Sequence, residues 1–226
     1  MIHKNIKELI GKNFPVIIVG SGPAGITLAL SLEKRKIDCL IIEAGHEEYS
    51  DESQESYAAK IIGDQITDLR YSRLRQLGGT SGHWGGWCKP IEKWNVEKWG
   101  IEYNSFSKLK DQTCKILEIE NNFQQSKISN FYSQISFQYS KVRFADKYKS
   151  HLANSKYIHL LVNAQVTHLS GENKRFESIS VSQNNEKIIL KSNFFILCAG
   201  GIENSRILLW SKEQNNSLIN DDLPIG

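Results

Sequence analysis

The chain has 226 residues, of which 40% are hydrophobic and 23% are charged, and its net charge is +3. This length suits one large domain or one and a half, and the apolar share is enough to bury a sizeable core. The small net charge and the absence of a long basic run argue against nucleic acid as a partner. Four widely spaced cysteines without a C-x-x-C pair argue against a disulfide framework or a zinc site, and for a reducing compartment.

The sequence also gives no sign of a membrane segment or a secretion signal. Its apolar runs are shorter than the roughly 18 residues that a membrane-spanning helix needs. Residues 1–15 are too polar for the apolar part of a signal peptide. We therefore expect a cytoplasmic protein without a membrane span.

Residues 14–45 predict a β-α-β unit. An apolar run at 16–19 leads into a G-x-G-x-x-G loop, a helical pattern follows to about Arg35, and residues 39–42 form the next apolar run. In such a loop Gly20 permits the tight turn, Gly22 lets the backbone approach a pyrophosphate, and Gly25 allows the helix to pack on the strand. Pro23 suits the first helical turn, where its missing N–H costs nothing. The free N–H groups of the helix N-terminus then face the anion.

Glu43 completes this signature, because it follows the second strand and stands 23 residues after Gly20. An acid at this place accepts hydrogen bonds from a ribose hydroxyl and repels a 2′-phosphate. A lone G-x-G-x-x-G arises often by chance, and the alternative is an ordinary glycine-bearing turn. The strand before it, the helix after it and the acid at the right distance together predict an adenine dinucleotide site.

A second glycine-rich segment spans residues 75–87 and has five glycines between positions 78 and 86. Such a segment cannot be a helix or a central strand. It makes sense where the backbone must approach a flat, bulky ligand, with Thr80 and Ser81 adding hydroxyls and N–H donors. The alternative is a flexible surface loop, although such loops seldom carry two tryptophans and a histidine.

The rest of the chain divides into an irregular part and a strand-rich part. Residues 91–150 are rich in aromatic residues, lysine and serine, and their weak helical periodicity indicates a cap or an insertion. Strands are predicted over 158–166, 176–182 and 188–199, with a turn at 183–185 between the last two. The segment from 194 to 206 predicts a buried strand that ends in small residues and leads into a helix. Small residues at a strand end indicate close backbone contact with a ligand or a neighbouring helix.

The order of these motifs carries a family resemblance. Five segments follow one another over residues 14–210: GSGPAG, LIIEAG, RQLGGTSGHWGG, NAQVTHL and LCAGGIENSRILL. This order resembles the glucose–methanol–choline (GMC) flavoprotein oxidoreductases. The resemblance implies an α/β fold: a Rossmann-type FAD-binding domain with a parallel sheet and a β-meander, plus part of an inserted cap or substrate domain. It also implies the domain boundaries: residues 1–90 and 151–226 for the FAD-binding domain, and residues 91–150 for the insertion.

The resemblance implies FAD as the cofactor and places residues around it. The fingerprint glycines would hold the pyrophosphate, Glu43 the adenosine ribose, and the Val166 backbone the adenine. The loop 78–86 would lie along the flavin, and Ala199 would lie close to the dinucleotide. The complete set of cofactor-binding residues implied in this way is Gly20, Ser21, Gly22, Pro23, Ala24, Gly25, Glu43, Ala44, Arg75, Gly78, Gly79, Thr80, Ser81, His83, Trp84, Gly85, Val166, Ala199 and Gly200.

One motif resembles a particular branch of the family. The G-G-x-S-x-H-W form of the second loop is similar to the pyranose-oxidase branch, and the choline-oxidase branch also has histidine at the place of His83. In those branches the histidine is attached covalently to the flavin 8α-methyl group. The alternative is that His83 only packs or hydrogen-bonds near the flavin.

The activity implied by the resemblance is oxidation of a CH–OH group in an alcohol or sugar-like small molecule, by hydride transfer to flavin N5. Members of the family are much longer, and their later half supplies the catalytic base. Nothing in this sequence matches that base, so no catalytic residue and no metal site are assigned. Because the sequence ends at 223–226, where the family continues, we expect a fragment or a half that needs a complementary C-terminal partner.

Two other functions remain open from the sequence. A conventional NAD-dependent dehydrogenase is disfavoured, because such an enzyme has no need of the second glycine-rich loop. A flavin- or nucleotide-binding remnant without catalysis is compatible with the missing later half.

Overall fold

A computed structural model of the chain describes residues 1–173, 175–215 and 219. The final segment 223–226, where the family resemblance breaks off, lies outside the described residues. The elements before residue 84 are strand β1 (Ile2–His3), a 3₁₀ turn (Ile6–Leu9), strand β2 (Val16–Val19), helix α1 (Pro23–Glu33), strand β3 (Cys39–Ile42), helix α2 (Asp51–Glu55), helix α3 (Leu69–Ser72) and a second 3₁₀ turn (Gly79–Gly82).

The predicted β-α-β unit is confirmed. Strands β2 and β3 are buried at every position, as expected for parallel strands that are covered on both faces. Helix α1 begins at Pro23, and it ends slightly before the predicted position near Arg35. The reason is local: Lys36 adopts a left-handed φ of 59°, and the N–H of Ile37 donates to the carbonyl of Leu32 at 3.1 Å, which closes the helix.

Residues 84–142 form one of two compact units in the chain. Strands β4 and β7 pair antiparallel, and so do strands β5 and β6. Val96, Cys114 and Val142 are buried apolar residues of this unit, while many of its aromatic side chains are exposed. Its elements are β4 (Trp87–Cys88), α4 (Lys93–Lys98), α5 (Tyr103–Ser107), α6 (Lys110–Leu117), β5 (Gln125–Lys127), β6 (Ser133–Ile135) and β7 (Gln138–Tyr139).

The other unit joins residues 1–83 to the part of the chain from Arg143 onward. Its later elements are α7 (Phe144–Asn154), β8 (Ile158–Leu161), β9 (Gln165–Glu172), β10 (Arg175–Gln183), β11 (Glu186–Lys191), β12 (Phe194–Leu197) and α8 (Gly201–Gln214). Helix α7 packs against α1, β8 and the turn at Gly79–Gly82.

This unit contains two sheets. One is a parallel sheet of five strands in the order β1-β8-β3-β2-β12, and the other is an antiparallel meander in the order β11-β10-β9. Asn184 and Asn185 both have positive φ in the two-residue turn between β10 and β11, which is the geometry that tight hairpins favour. One apolar core joins both sheets to α8, with Ile17, Ile179 and Ile207 among its buried members. The predicted α/β fold, a Rossmann-type FAD-binding fold with a parallel sheet and a β-meander, is confirmed.

Two predicted strands are each divided between the two sheets. The strand predicted over 158–166 is in fact β8 in the parallel sheet and β9 in the meander, with a break where Asn163 has a φ of 53°. The strand predicted over 188–199 is β11 in the meander and β12 in the parallel sheet. A continuous apolar run does not reveal where a chain leaves one sheet for another.

Strand β12 lies at the edge of its sheet, and Phe194 is 64% exposed, so the prediction of a buried strand there was wrong.

Candidate functional site

A cleft of about 750 Å³ lies at the carboxyl ends of strands β2, β3 and β12. In open parallel α/β sheets this edge is where ligands bind. The cleft is lined by these residues from the predicted cofactor set: Gly20, Gly22, Pro23, Ala24, Glu43, Ala44, Arg75, Gly79, Thr80, Val166, Ala199 and Gly200.

The first glycine-rich loop lines the cleft at Gly20 and Gly22. A Cβ atom at Gly25 would lie 2.0 Å from the carbonyl oxygen of Gly20, so only glycine lets α1 pack this close to β2. Gly20 itself has a φ of 101°, and a Cβ there would lie 2.7 Å from the carbonyl oxygen of Cys198. A Cβ at Gly22, by contrast, would meet no atom within 4 Å. The cleft therefore leaves open space next to the backbone of Gly22.

Glu43 is the acid that the sequence predicts in this cleft, and its orientation is fixed by donors from Ser21 and Gly45. Its Oε2 accepts hydrogen bonds from the Ser21 N–H at 2.9 Å and the Ser21 hydroxyl at 2.6 Å, and its Oε1 accepts one from the Gly45 N–H at 2.8 Å. A carboxylate offers about four acceptor positions, so one remains for a ligand hydroxyl. Ser21 is fully buried and positions Glu43 from behind.

Two helix N-termini meet the cleft. Helix α1 has Gly22 as its N-cap, α8 has Gly200, and neither end is capped by a side chain. Unpaired N–H groups at a helix N-terminus attract anions. Asn204 holds the turn before α8, because its side chain accepts from the Ala199 N–H at 3.0 Å and donates to the Leu197 carbonyl at 3.3 Å.

Of the second glycine-rich segment, Arg75, Gly79 and Thr80 line the cleft. A Cβ at Gly79 would lie 3.2 Å from the Cα of Gly22, so the two glycine-rich loops are in contact. The N–H of Gly78 donates to the carbonyl of Ser21 at 3.0 Å, which ties the loops together.

Several residues of the predicted cofactor set lie outside the cleft. Ser81 is buried, where its hydroxyl donates to the Gly78 carbonyl at 2.7 Å and accepts from the Phe144 N–H at 3.1 Å. The His83 side chain is exposed. The Trp84 indole N–H donates to the Val142 carbonyl at 3.0 Å within the 84–142 unit. The complete group that does not line the cleft is Ser21, Gly25, Gly78, Ser81, His83, Trp84 and Gly85.

Sequence reasoning missed a charged wall of the cleft. The Arg73 guanidinium stacks 3.8 Å from the centre of the Tyr57 ring, and its Nη1 lies 3.1 Å from Oε1 of Glu203. The Arg206 Nε donates to the other Glu203 oxygen at 2.7 Å. Burial raises the pKa of Tyr57 to about 12, and the nearby charge of Glu43 adds to this effect. Only Arg75, whose Nη1 donates to the Ser53 hydroxyl at 2.7 Å, was predicted among the arginines of the cleft.

The chemistry of the cleft fits a dinucleotide. The Nε of Arg73 is buried, and none of the described residues accepts a hydrogen bond from it. A buried donor without an acceptor is costly, and a bound phosphate oxygen would satisfy a guanidinium well. Open space at Gly22, two helix N-termini and one oriented acid complete the features that a pyrophosphate and a ribose require.

Neither a metal centre nor a membrane span is found among the described residues. No group of three or more histidine, cysteine, aspartate or glutamate side chains there is arranged to hold a metal ion. No helix in the same part of the chain is both long enough and apolar enough to cross a membrane.

Comparisons with known proteins identify the cofactor. Residues 13–62 match a sequence model described as an FAD binding domain. No curated protein matches the sequence. Among solved structures, the crystal structure of pyridoxine 4-oxidase from Mesorbium loti is similar, with a TM-score of 0.62 and 16% identity over 86% of this chain and 51% of that one. This chain therefore spans about half the length of that structure, with which it shares the fold. FAD is the cofactor of this chain.

Proposed function

We propose that this chain is the FAD-binding part of an FAD-dependent oxidoreductase of the GMC type, acting on a CH–OH group of an alcohol or sugar-like small molecule. The observation that carries the proposal is the cleft at the carboxyl edge of the parallel sheet, which both glycine-rich loops line. When bound, FAD supplies a two-electron acceptor for the hydride of such a substrate. The resemblance in motif order supports the family, and the flavoenzyme neighbour supports the fold on which this chemistry would occur.

The roles proposed for the chain's own residues come from the family resemblance, and the lining of the cleft supports several of them. The N-terminus of α1 beside Gly22 would bind the pyrophosphate, and the free acceptor position of Glu43 would take a ribose hydroxyl. The backbone of Val166, which also lines the cleft, would contact the adenine. Gly79 and Thr80 would then lie on the side of the flavin. We assign no catalytic acid or base to this chain.

We also propose that residues 1–90 and 151–226 make up the FAD-binding domain and that residues 91–150 belong to an inserted cap or substrate domain. The separate compact unit at 84–142 supports an insertion in this part of the chain. A cytoplasmic location is supported by the four cysteines, which are all unpaired.

We further propose that His83 forms a covalent bond to the flavin, as the G-G-x-S-x-H-W motif of the pyranose-oxidase branch implies. The bond would join an imidazole nitrogen to the 8α carbon, each partner would lose one proton, and an acceptor such as dioxygen would take up the two electrons. The motif is what supports this role; the His83 side chain itself is exposed and does not line the cleft.

The proposed activity is tested on the purified chain by visible absorbance followed by reduction with candidate alcohol and sugar donors. Flavin bands that a donor bleaches are the expected result. Flavin bands that no donor bleaches would instead favour a non-catalytic flavin-binding protein. A colourless protein that binds NAD would contradict the proposal and favour a nicotinamide-dependent dehydrogenase.

A further inference from the structure

The charged wall of the cleft consists of Tyr57, Arg73, Glu203 and Arg206, and within it Arg73 carries a donor that a cofactor phosphate could satisfy. Glu203 stands between the two arginines, with one carboxylate oxygen toward each. The side chains of Arg73 and Glu203 are 16% and 17% exposed, so the pair is largely withdrawn from water. A charge pair in this environment acts on a ligand with little screening.

Glu203 neutralises Arg73 by pairing with its Nη1, and it leaves the Nε without an acceptor. A guanidinium has five N–H donors, and its planar fork matches the two oxygens of a phosphate. The Nε of Arg73 has no acceptor among the described residues, while the Tyr57 ring covers one face of the guanidinium. Arg73 is thus held in place by its neighbours and still lacks the acceptor that its geometry suits.

The charges that line the cleft balance a pyrophosphate. Three arginines (Arg73, Arg75 and Arg206) against two glutamates (Glu43 and Glu203) leave one positive charge. The N-termini of α1 and α8 add roughly half a charge each. The total, about two positive charges, matches the two negative charges of the doubly esterified pyrophosphate in a dinucleotide.

We propose that Glu203 determines the charge selectivity of the cleft, because it positions Arg73 and Arg206 for the phosphates of the dinucleotide and cancels part of their charge. The cleft then accepts a pyrophosphate but disfavours ligands with additional phosphate groups. This inference rests on the proposed FAD site and adds to it a residue that sets specificity.

The test compares adenosine, ADP and ATP by calorimetric titration of the full chain freed of flavin. Glu203→Gln should raise the affinity for ADP by roughly fivefold and that for ATP by more, because one opposing charge is removed. Arg73→Gln should lower the ADP affinity by about tenfold, because a charge-assisted hydrogen-bond donor is lost. The affinity for adenosine, which has no phosphate, should change less than about twofold in both variants.

Two further variants, Arg73→Lys and Glu186→Gln, serve as controls for this test. Arg73→Lys retains the charge facing Glu203 but not the planar fork, so it should fold normally and weaken ADP binding by an intermediate factor. Glu186→Gln removes an exposed acid that pairs with Lys7 outside the cleft, and it should leave all three affinities unchanged. A gain in ADP affinity cannot arise from misfolding, so the Glu203→Gln result stands even if Arg73→Gln is unstable.

One outcome would contradict the role of Glu203, and another would contradict the cofactor site itself. If Glu203→Gln leaves the ADP affinity unchanged or lowers it, or if adenosine shifts as much as ADP, the selectivity role of Glu203 is wrong. If the folded wild-type chain binds neither ADP nor FAD, the cofactor site itself is wrong.

Discussion

The two glycine-rich loops meet at one cleft, but glycine serves different purposes in them. In the loop 20–25, Gly20 and Gly25 are required by backbone crowding, and Gly22 leaves space for a ligand. In the segment 78–86, crowding explains Gly78 and Gly86, whose added Cβ atoms would lie 2.6 Å from the Ala145 nitrogen and 2.2 Å from the Ser140 oxygen. Crowding within the protein thus accounts for more of these glycines than contact with the cofactor does.

The difference shows how far a motif can be interpreted. The first loop stands in a fixed context of strand, turn and helix, so the role of each glycine follows from its position. The second loop was interpreted from its composition alone. A high glycine content indicates that the backbone lies close to another group, but it does not identify that group. In this chain the neighbouring groups belong in large part to the protein itself: Gly78 lies against Ala145, and Gly79 lies against Gly22.

The largest effect expected from a substitution in either loop is loss of stability in Gly25→Ala. The added methyl would lie 2.0 Å from the Gly20 oxygen, and overpacking of this kind costs about 3 kcal/mol. Denaturant unfolding measures it, with Gly22→Ala as the control, because a methyl at Gly22 meets nothing. The control should lose about 1 kcal/mol or less. Equal losses in the two variants would contradict the packing role of Gly25.

Gly22→Val separates cofactor binding from folding. Its side chain would fill the open space beside the N-terminus of α1 without a clash inside the protein, so FAD should be lost while the free energy of unfolding changes little. Flavin content after purification and a titration with FAD measure the effect. Full flavin content in this variant would show that the pyrophosphate does not lie at Gly22.

Gly79→Leu tests whether the second loop contributes to the same site. The backbone there has a φ of 54°, which costs a leucine about 1 kcal/mol, and the side chain would also press on Gly22. Stability and FAD affinity should both fall. Gly11→Leu is the matched control, because Gly11 has a φ of 77° and no neighbour within 4 Å, so only stability should fall. Unchanged FAD affinity in Gly79→Leu would remove the second loop from the site.

His159 belongs to neither loop, and its titration should affect the fold without affecting the cofactor. Burial, with a contribution from the charge of His3, lowers the pKa of His159 to about 4. The unfolded chain therefore binds more protons between pH 6.5 and 4, and the free energy of unfolding should fall as the pH drops through that window. His159→Gln should reduce this slope and leave the affinity for FAD unchanged. An identical slope in the variant would show that His159 does not titrate abnormally.

The smallest effect on stability is expected for His83→Ala, because the side chain is exposed. Its predicted consequence is chemical instead: in an active, complete assembly, some flavin stays with the denatured wild-type polypeptide, and the variant releases all of it. Intact-protein mass spectrometry measures the added mass of FAD. Wild-type protein without that added mass would leave His83 without a covalent role.

Local patterns predicted much of this fold, and they failed where distant segments meet. The β-α-β unit and the Asn184-Asn185 hairpin follow from short-range signals of strand, glycine and turn. The division of 158–166 and 188–199 between two sheets does not, since apolar residues look alike in both. The pair of Arg73 and Glu203 joins two segments far apart in sequence, and no spacing rule connects them.

The most direct test of the cofactor site is an equilibrium titration of the flavin-free wild-type chain with FAD, NAD and NADP under the same conditions. The oriented carboxylate of Glu43 and the matched charge of the cleft predict that FAD binds most tightly and that NADP, with its additional 2′-phosphate, binds most weakly. NADP binding as tight as that of FAD would contradict this account of the site.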